Sequence, residues 1–438
     1  MASQKSISFK QKYQPFIHLN LNIRGLQPSA TLAVNELSNS LLAQGKKVYK
    51  FGLGQSPFPV PENVVKALQD NAFQKDYLAV KGLYELREAI ANKYLKGHGI
   101  EREAEDIIVG PGSKELLFLL QLVYYGELVI PSPSWVSYSP QAKIVGRNVQ
   151  WLTTKEEDDW RLRPEDLTAL CEQDPERPRI VILNYPNNPT GATYTLEWVK
   201  AIAQVARKYR LILLSDEIYG DLNHLGQHVS IARFYPEGTI VSTGLSKWCG
   251  AGGWRLGLFA FPPSLRWLLD AMASVASETF TATSAPIQYA AIRAFEGGED
   301  IEAYLKDSRR ILKVIGNALY KKLIKNHVSL PSPKGGFYLF PNFSHYTEKL
   351  HAKGIHSSRD FCRQLLEETG VAILPASDFG IPANELIARM AYVNFDGTEA
   401  LKVAQTEYAN RSLDVAFLEK CCAETMEGVD VLVEWLKK

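Results

Sequence analysis

The sequence predicts an α/β fold: a large domain with a mostly parallel sheet covered by helices on both faces, followed by a smaller α+β domain. Three observations predict it. Between about residues 61 and 289, short apolar runs alternate with helical patterns, which is the signature of repeated β-α-β units. After about residue 301 the pattern changes to one long charged helix, a Pro- and Gly-punctuated stretch at 330–336 and further short apolar runs. The length, 438 residues, exceeds one ordinary domain and suits a large domain joined to a small one. The expected division is an N-terminal segment at 1–60 that packs with the small domain, a large domain at 61–300 and a small domain at 301–438.

Strands are expected at 107–109, 128–130, 179–183, 211–214, 239–242 and 258–260, with helices at 114–124 and 196–209 between them. In the small domain, strands are expected at 337–340, 371–374 and 388–393, and one extra amphipathic helix within 409–438. The most apolar run, at 116–125, is too short to cross a bilayer and reads as a buried helix.

Composition excludes several function classes. Hydrophobic residues make up 46% and charged residues 22%, ordinary for a globular chain. Lys plus Arg total 49 against 48 Asp plus Glu, so the net charge of +1 offers no general attraction to nucleic acid or anionic membrane. The first twelve residues hold no apolar core of signal-peptide length. The five cysteines, at 171, 249, 362, 421 and 422, show no metal-ligand spacing, so no metal is expected and a reducing cytoplasmic compartment is the simplest account.

Polar chemistry gathers just after several predicted strands, where open α/β sheets place their ligands. Gly110-Pro111-Gly112-Ser113-Lys114 opens a helix, either as a simple cap or as a cradle of free amides for an anion. Asn184 through Gly191, with two prolines and three asparagines, is either a plain turn or a rigid loop that aims an amide. Ser215-Asp216-Glu217-Ile218-Tyr219 places a carboxylate where a helix cap would also fit. Ser242 through Lys247, followed by Gly253-Trp254-Arg255-Leu256-Gly257, sets a lysine among small residues at a strand end. Burial there would depress its pKa and favour imine chemistry.

In this order and spacing, Asn-Asn-Pro-Thr-Gly, Ser-Asp-Glu-Ile-Tyr and Ser-Lys followed by Gly-Trp-Arg-Leu-Gly resemble the class I/II aminotransferases of pyridoxal-phosphate (PLP) fold type I, over roughly residues 28–398. The resemblance implies that family's large domain with a seven-stranded, mostly parallel sheet, PLP as cofactor, and amino-group transfer between amino acids and 2-oxo acids by a ping-pong mechanism in a homodimer. It implies that Lys247 forms the Schiff base and shuttles the proton, that Asp216 pairs with the ring nitrogen, and that Asn188 and Tyr219 bond the ring's phenolic oxygen. Trp135 would stack on the ring. The phosphate would be held at Gly112, Ser113 and Lys114, by Arg255, and by Tyr77 of the neighbouring subunit. Where relatives carry a phosphate-binding serine, this chain has Gly244, and Ser246 or Thr243 would compensate.

For the substrate, the resemblance implies that Arg389 clamps the α-carboxylate with help from Gly54, and that Phe337 lines the side-chain pocket. Gln27-Pro28-Ser29-Ala30-Thr31 and Ser113-Lys114 resemble the bacterial aspartate/prephenate branch, in which Thr31 and Lys114 would take a distal carboxylate. Glu115 beside Lys114 would partly neutralise it. An aspartate-like substrate is expected; the alternatives are an aromatic or broad-specificity aminotransferase, or a PLP lyase or synthase of the same fold.

Overall fold

The computed structural model describes residues 18–26 and 30–438, and for residues 30–33 and 35 the backbone alone. Its strands, in chain order, are β1 (Tyr49–Lys50), β2 (Ile107–Gly110), β3 (Glu127–Ser132), β4 (Val149–Thr153), β5 (Arg179–Asn184), β6 (Ile212–Asp216), β7 (Thr239–Gly244), β8 (Gly257–Ala260), β9 (Tyr338–Leu339), β10 (Val371–Ala372), β11 (Leu374–Pro375) and β12 (Ala388–Ala391). Seven of them form the central sheet in the order β2-β8-β7-β6-β5-β3-β4. β8 is the one strand of this sheet that runs against the other six, pairing antiparallel with β2 and β7.

The alternation of side chains along these strands buries both faces. Ile180 and Ile182 of β5 enter the layer shared with helices Ser113–Val123 and Arg266–Ser277. Val181 and Leu183 enter the opposite layer, with helices Pro164–Gln173 and Leu196–Lys208. With no wet face, a polar side chain can be displayed only at the strand ends. The C-terminal ends of β5, β6 and β7 carry Asn184, Asp216 and Gly244 along one edge.

The six strands expected in the large domain are β2, β3 and β5 to β8. The seventh, β4, was not expected, because as an edge strand it is only partly buried and shows no apolar run. The expected strand at 371–374 is two short strands, since the chain changes sheet at Ile373: β10 pairs with β1, and β11 with β12. The long helix is Glu299–Lys325. β9, β11 and β12 make a small antiparallel sheet, and the β1–β10 pairing ties the early chain to the late chain.

The C-terminal stretch forms two helices rather than one, Val415–Cys421 and Ala423–Lys437, because Cys422 at their junction leaves helical geometry (φ −132°, ψ 21°). The second helix lies against β1, where a Cβ on Gly428 would come within 2.7 Å of Phe51. Trp435 Nε1 donates to Glu368 at 2.6 Å, fastening the helix to Ser358–Thr369. The extension is therefore part of the packed core. No helix among the described residues is long and apolar enough to cross a membrane.

Candidate active site

At the C-terminal edge of the sheet lies a cleft with about 1540 Å³ of empty space, walled by the large domain and by Tyr338 and Arg389 of the small sheet. It gathers Gly54, Ser113, Lys114, Trp135, Asn188, Asp216, Tyr219, Ser246, Lys247, Arg255 and Arg389. These come from sequence positions more than 300 residues apart, and the strand ends bring them together.

Asp216 ends β6 almost fully buried. Its carboxylate accepts from Tyr138 Oη at 2.5 Å and from Ser242 Oγ at 3.4 Å. Burial outweighs these bonds and pushes its pKa up to about 6. Its backbone carbonyl accepts from Asn184 Nδ2 at 2.8 Å, and Asn184 Oδ1 in turn accepts from the Asn188 amide at 2.8 Å. The loop after β5 is thus stitched to β6 and holds the Asn188 side chain in the cleft. There Asn188 Oδ1 meets Arg389 Nη1 at 3.4 Å.

Lys247 stands three residues past β7, with Nζ 2.6 Å from the Gly54 carbonyl. Burial, then the positive charges of Arg389, Arg255 and Lys114, lower its pKa to about 8. An amine near that value is free base in a useful fraction at neutral pH, as both a nucleophile and a proton carrier require.

Two features make an anion cradle. The helix Ser113–Val123 begins at the cleft, and its opening amides at Ser113 and Lys114 have no backbone acceptor, while that of Glu115 bonds the Gly112 carbonyl at 3.1 Å. Gly112 there has φ +93°, and a Cβ on it would sit 2.3 Å from Arg255 Nη2, so only glycine lets that guanidinium approach the helix start. Arg255 itself is held by the Gly252 carbonyl at 2.9 Å. Lys114 lies 5.1 Å over the Trp135 ring, with its pKa lowered by burial and by Arg255.

Arg389 on β12 stacks over the Tyr338 ring at 4.8 Å and donates to the Gly52 carbonyl. Its buried Nε has no partner among the described residues, which leaves donor capacity for a carboxylate.

Phe337 is fully buried against Tyr219 with its ring centroid 5.8 Å from Lys247 Nζ, and its neighbour Tyr338 lines the cleft directly, bonding Tyr219 Oη at 2.8 Å. Other expected residues sit apart from the cleft or beyond description. Tyr77 is 93% exposed and outside its own chain's cleft. Glu115 does not line the cleft. Gln27, Pro28 and Ser29 lie outside the described residues, as do the side chains of Ala30 and Thr31. Of the two hydroxyls weighed against Gly244, Ser246 lines the cleft, while Thr243 faces a separate inner chamber. Tyr138 and Tyr338 are not legible as site residues from the sequence: the signal for Tyr138 is its place three residues after Trp135 in a turn, and for Tyr338 an aromatic run that does not say which ring faces outward.

Gly244 has a steric cause: a Cβ there would lie 2.7 Å from the Leu256 carbonyl and 2.8 Å from Gly257 Cα, on the adjacent β8 side. β7 and β8 approach too closely for any side chain.

A buried carboxylate beside a depressed lysine, an anion cradle and a separate guanidinium define an enzyme built for amine chemistry on a phosphorylated cofactor. The sequence pattern described as aminotransferase class I and II matches residues 46–404, and the chain belongs to that family. It is 34% identical to the aspartate aminotransferase of Geobacillus stearothermophilus over 394 residues, 87% of this chain and 95% of that one. It is 31% identical to the aspartate/prephenate aminotransferase of Thermus thermophilus over 366 residues, covering 82% and 91%. The aspartate aminotransferase of Thermus thermophilus solved with maleate superposes with a TM-score of 0.79 at 30% identity, covering 90% and 99%. The chain is a PLP-dependent transaminase of fold type I, acting on amino acids and 2-oxo acids. The residues present fit that cofactor: the Gly112–Arg255 cradle suits its phosphate, and the buried acid suits a cationic ring nitrogen.

Two predictions follow from these contacts. Gly244→Ser is expected to destabilise the protein by about 1–3 kcal/mol through overpacking and to weaken rather than strengthen cofactor retention; denaturant melts and dialysis measure both, and a stable variant with tighter retention would contradict the steric account. Asp216 has a folded pKa raised above its unfolded value, so its stabilising effect is complete below about pH 3.8 and is lost as pH rises through about 6. Cofactor-free Asp216→Asn is therefore expected to exceed the parent in stability above pH 6, by about 1–3 kcal/mol, with the advantage gone at pH 4.

Proposed function

We propose that this chain transfers amino groups from aspartate or glutamate to a 2-oxo acid, with 2-oxoglutarate among the acceptors. The observation that supports the dicarboxylate preference is the charge count in the cleft. Four cations, Lys114, Lys247, Arg255 and Arg389, face one carboxylate, Asp216. Arg255 serves the cofactor phosphate, Lys247 the amine chemistry and Arg389 the α-carboxylate, which leaves Lys114 for a second carboxylate. The maleate bound in the Thermus thermophilus structure is itself a dicarboxylate.

PLP, when bound, supplies a carbonyl that condenses with amines and a ring that accepts the electrons released at the α-carbon. In the proposed roles the protein does the rest. Asp216 holds a proton at the ring nitrogen. Asn188 and Tyr219 donate to the ring oxygen, and Trp135 covers the ring face. Lys247 Nζ would carry the proton between the substrate α-carbon and the cofactor carbon that bears the carbonyl, in one direction in each half-reaction. The backbone at Gly112, Ser113 and Lys114, with Ser246 and Arg255, holds the phosphate, so the Lys114 side chain stays free for the substrate. Arg389, with the backbone at Gly54, fixes the α-carboxylate so that the α-proton faces Lys247.

The exposed position of Tyr77 supports a homodimer in which it reaches the partner's cofactor phosphate. The five cysteines are all unpaired, which supports a cytoplasmic location.

Aspartate added to the cofactor-loaded protein is expected to displace the visible absorbance band, and 2-oxoglutarate to restore it; no displacement by any common amino acid would sink the transamination reading. Lys247→Ala is expected to lower kcat about a thousandfold while phosphate anchoring persists. Lys114→Ala is expected to lower kcat/KM for aspartate by about ten- to a hundredfold with little effect on alanine. Equal losses on both substrates would remove the distal-carboxylate role.

A further inference from the structure

A second cleft, with about 1280 Å³ of empty space, opens elsewhere on the large domain and shares no lining residue with the catalytic cleft. Its wall is cationic. The side chains of Lys93, Lys96 and Arg233 take part in no ion pair or hydrogen bond among the described residues, and the Arg309 side chain is held only through Nε, which donates to the Asp221 carbonyl at 2.6 Å. The acids that line it are Asp221, Glu296 and Glu302. Asp221 is already matched by Tyr94 Oη at 2.6 Å and His98 Nε2 at 3.3 Å. Four basic side chains thus stand against two unmatched acids at the rim.

His228 and Trp248 form the back of this cleft. His228 Nε2 pairs with Glu217 at 2.8 Å, and Trp248 is 2% exposed. Glycines allow both guanidinia close to the backbone: a Cβ on Gly226 would lie 3.0 Å from Arg309 Nη1, and one on Gly99 3.1 Å from Arg233 Nε. Donors converging from several directions on a net positive hollow match a tetrahedral dianion.

We propose that this cleft is a second ligand site, specific for a small phosphate-bearing anion, whose occupancy is felt in the catalytic cleft. The route is short. Trp248, which lines the second cleft, directly follows Lys247, and Glu217, which lines the inner chamber and bonds His228 of the second cleft, directly follows Asp216. Binding rests on the second cleft alone. The coupling rests on the roles proposed above for Asp216 and Lys247.

The test uses the PLP-loaded protein, so that the catalytic cradle is filled, titrated with inorganic phosphate in a calorimeter. Saturable binding of one phosphate per chain is expected, weakened about tenfold or more in the Lys96→Ala/Arg233→Ala double variant. Both side chains are exposed and outside the catalytic machinery, so folding and phosphate-free turnover are expected to be unchanged. Absence of saturable binding, or equal affinity in the double variant, overturns the site. The pH midpoint of the visible cofactor band is expected to shift on phosphate addition in the parent and not in the double variant; binding without that shift overturns the coupling. Heat of binding needs no turnover, so a failure of the transamination reading would show separately.

Discussion

A carboxylate at the end of a strand buried on both faces is the constraint around which the catalytic cleft is built. Asp216 cannot be solvated, so its environment must either neutralise it or supply donors. Tyr138 and Ser242 supply two, and burial still leaves the group near the point where it would take a proton. That balance suits the role proposed for it opposite a cationic ring nitrogen, whose charge would supply what the protein withholds. The Asn184–Asn188 loop depends on the same place in the fold, since its anchor is the Asp216 carbonyl.

The lysine is tuned by the opposite excess. Arg389, Arg255 and Lys114 each lower the Lys247 pKa, and these are the groups that would bind the anionic parts of cofactor and substrate. Anion binding therefore relieves the depression of the lysine. The amine is most basic when the cleft is full, and most available as free base before it fills. One set of charges serves both recognition and activation.

Much of this was legible from the chain. Apolar strands buried on both faces leave continuous runs, so β5, β6 and β7 were readable, and so were the polar groups that interrupt them at their ends. The edge strand β4 was not, because partial burial leaves no run to read. Nor was the break at Cys422, where neighbouring residues are all compatible with helix. In the site, residue types that carry chemistry stood out, whereas supporting contacts did not. Tyr138 reaches Asp216 across 78 residues of sequence. The choice between Phe337 and Tyr338 depends on which side of a two-residue strand faces the cleft. Gly244 is the instructive case: the sequence showed a missing hydroxyl, and only the spacing between β7 and β8 shows that no side chain fits.

The same logic explains why residues 52–54 belong to the site although they lie on no strand of the central sheet. Arg389 donates to the Gly52 carbonyl and Lys247 to the Gly54 carbonyl, so two of the four cations are tethered to one short stretch of backbone. Tyr338 presses on the same stretch, where a Cβ on Gly54 would meet its hydroxyl at 2.0 Å. In the roles proposed for them, a carboxylate taken by Arg389 would compete with the Gly52 carbonyl for the same donors, and a proton carried by Lys247 would leave or rejoin an amine bonded to the Gly54 carbonyl. Both roles would then act on a single segment, which follows directly on β1 and its pairing with β10.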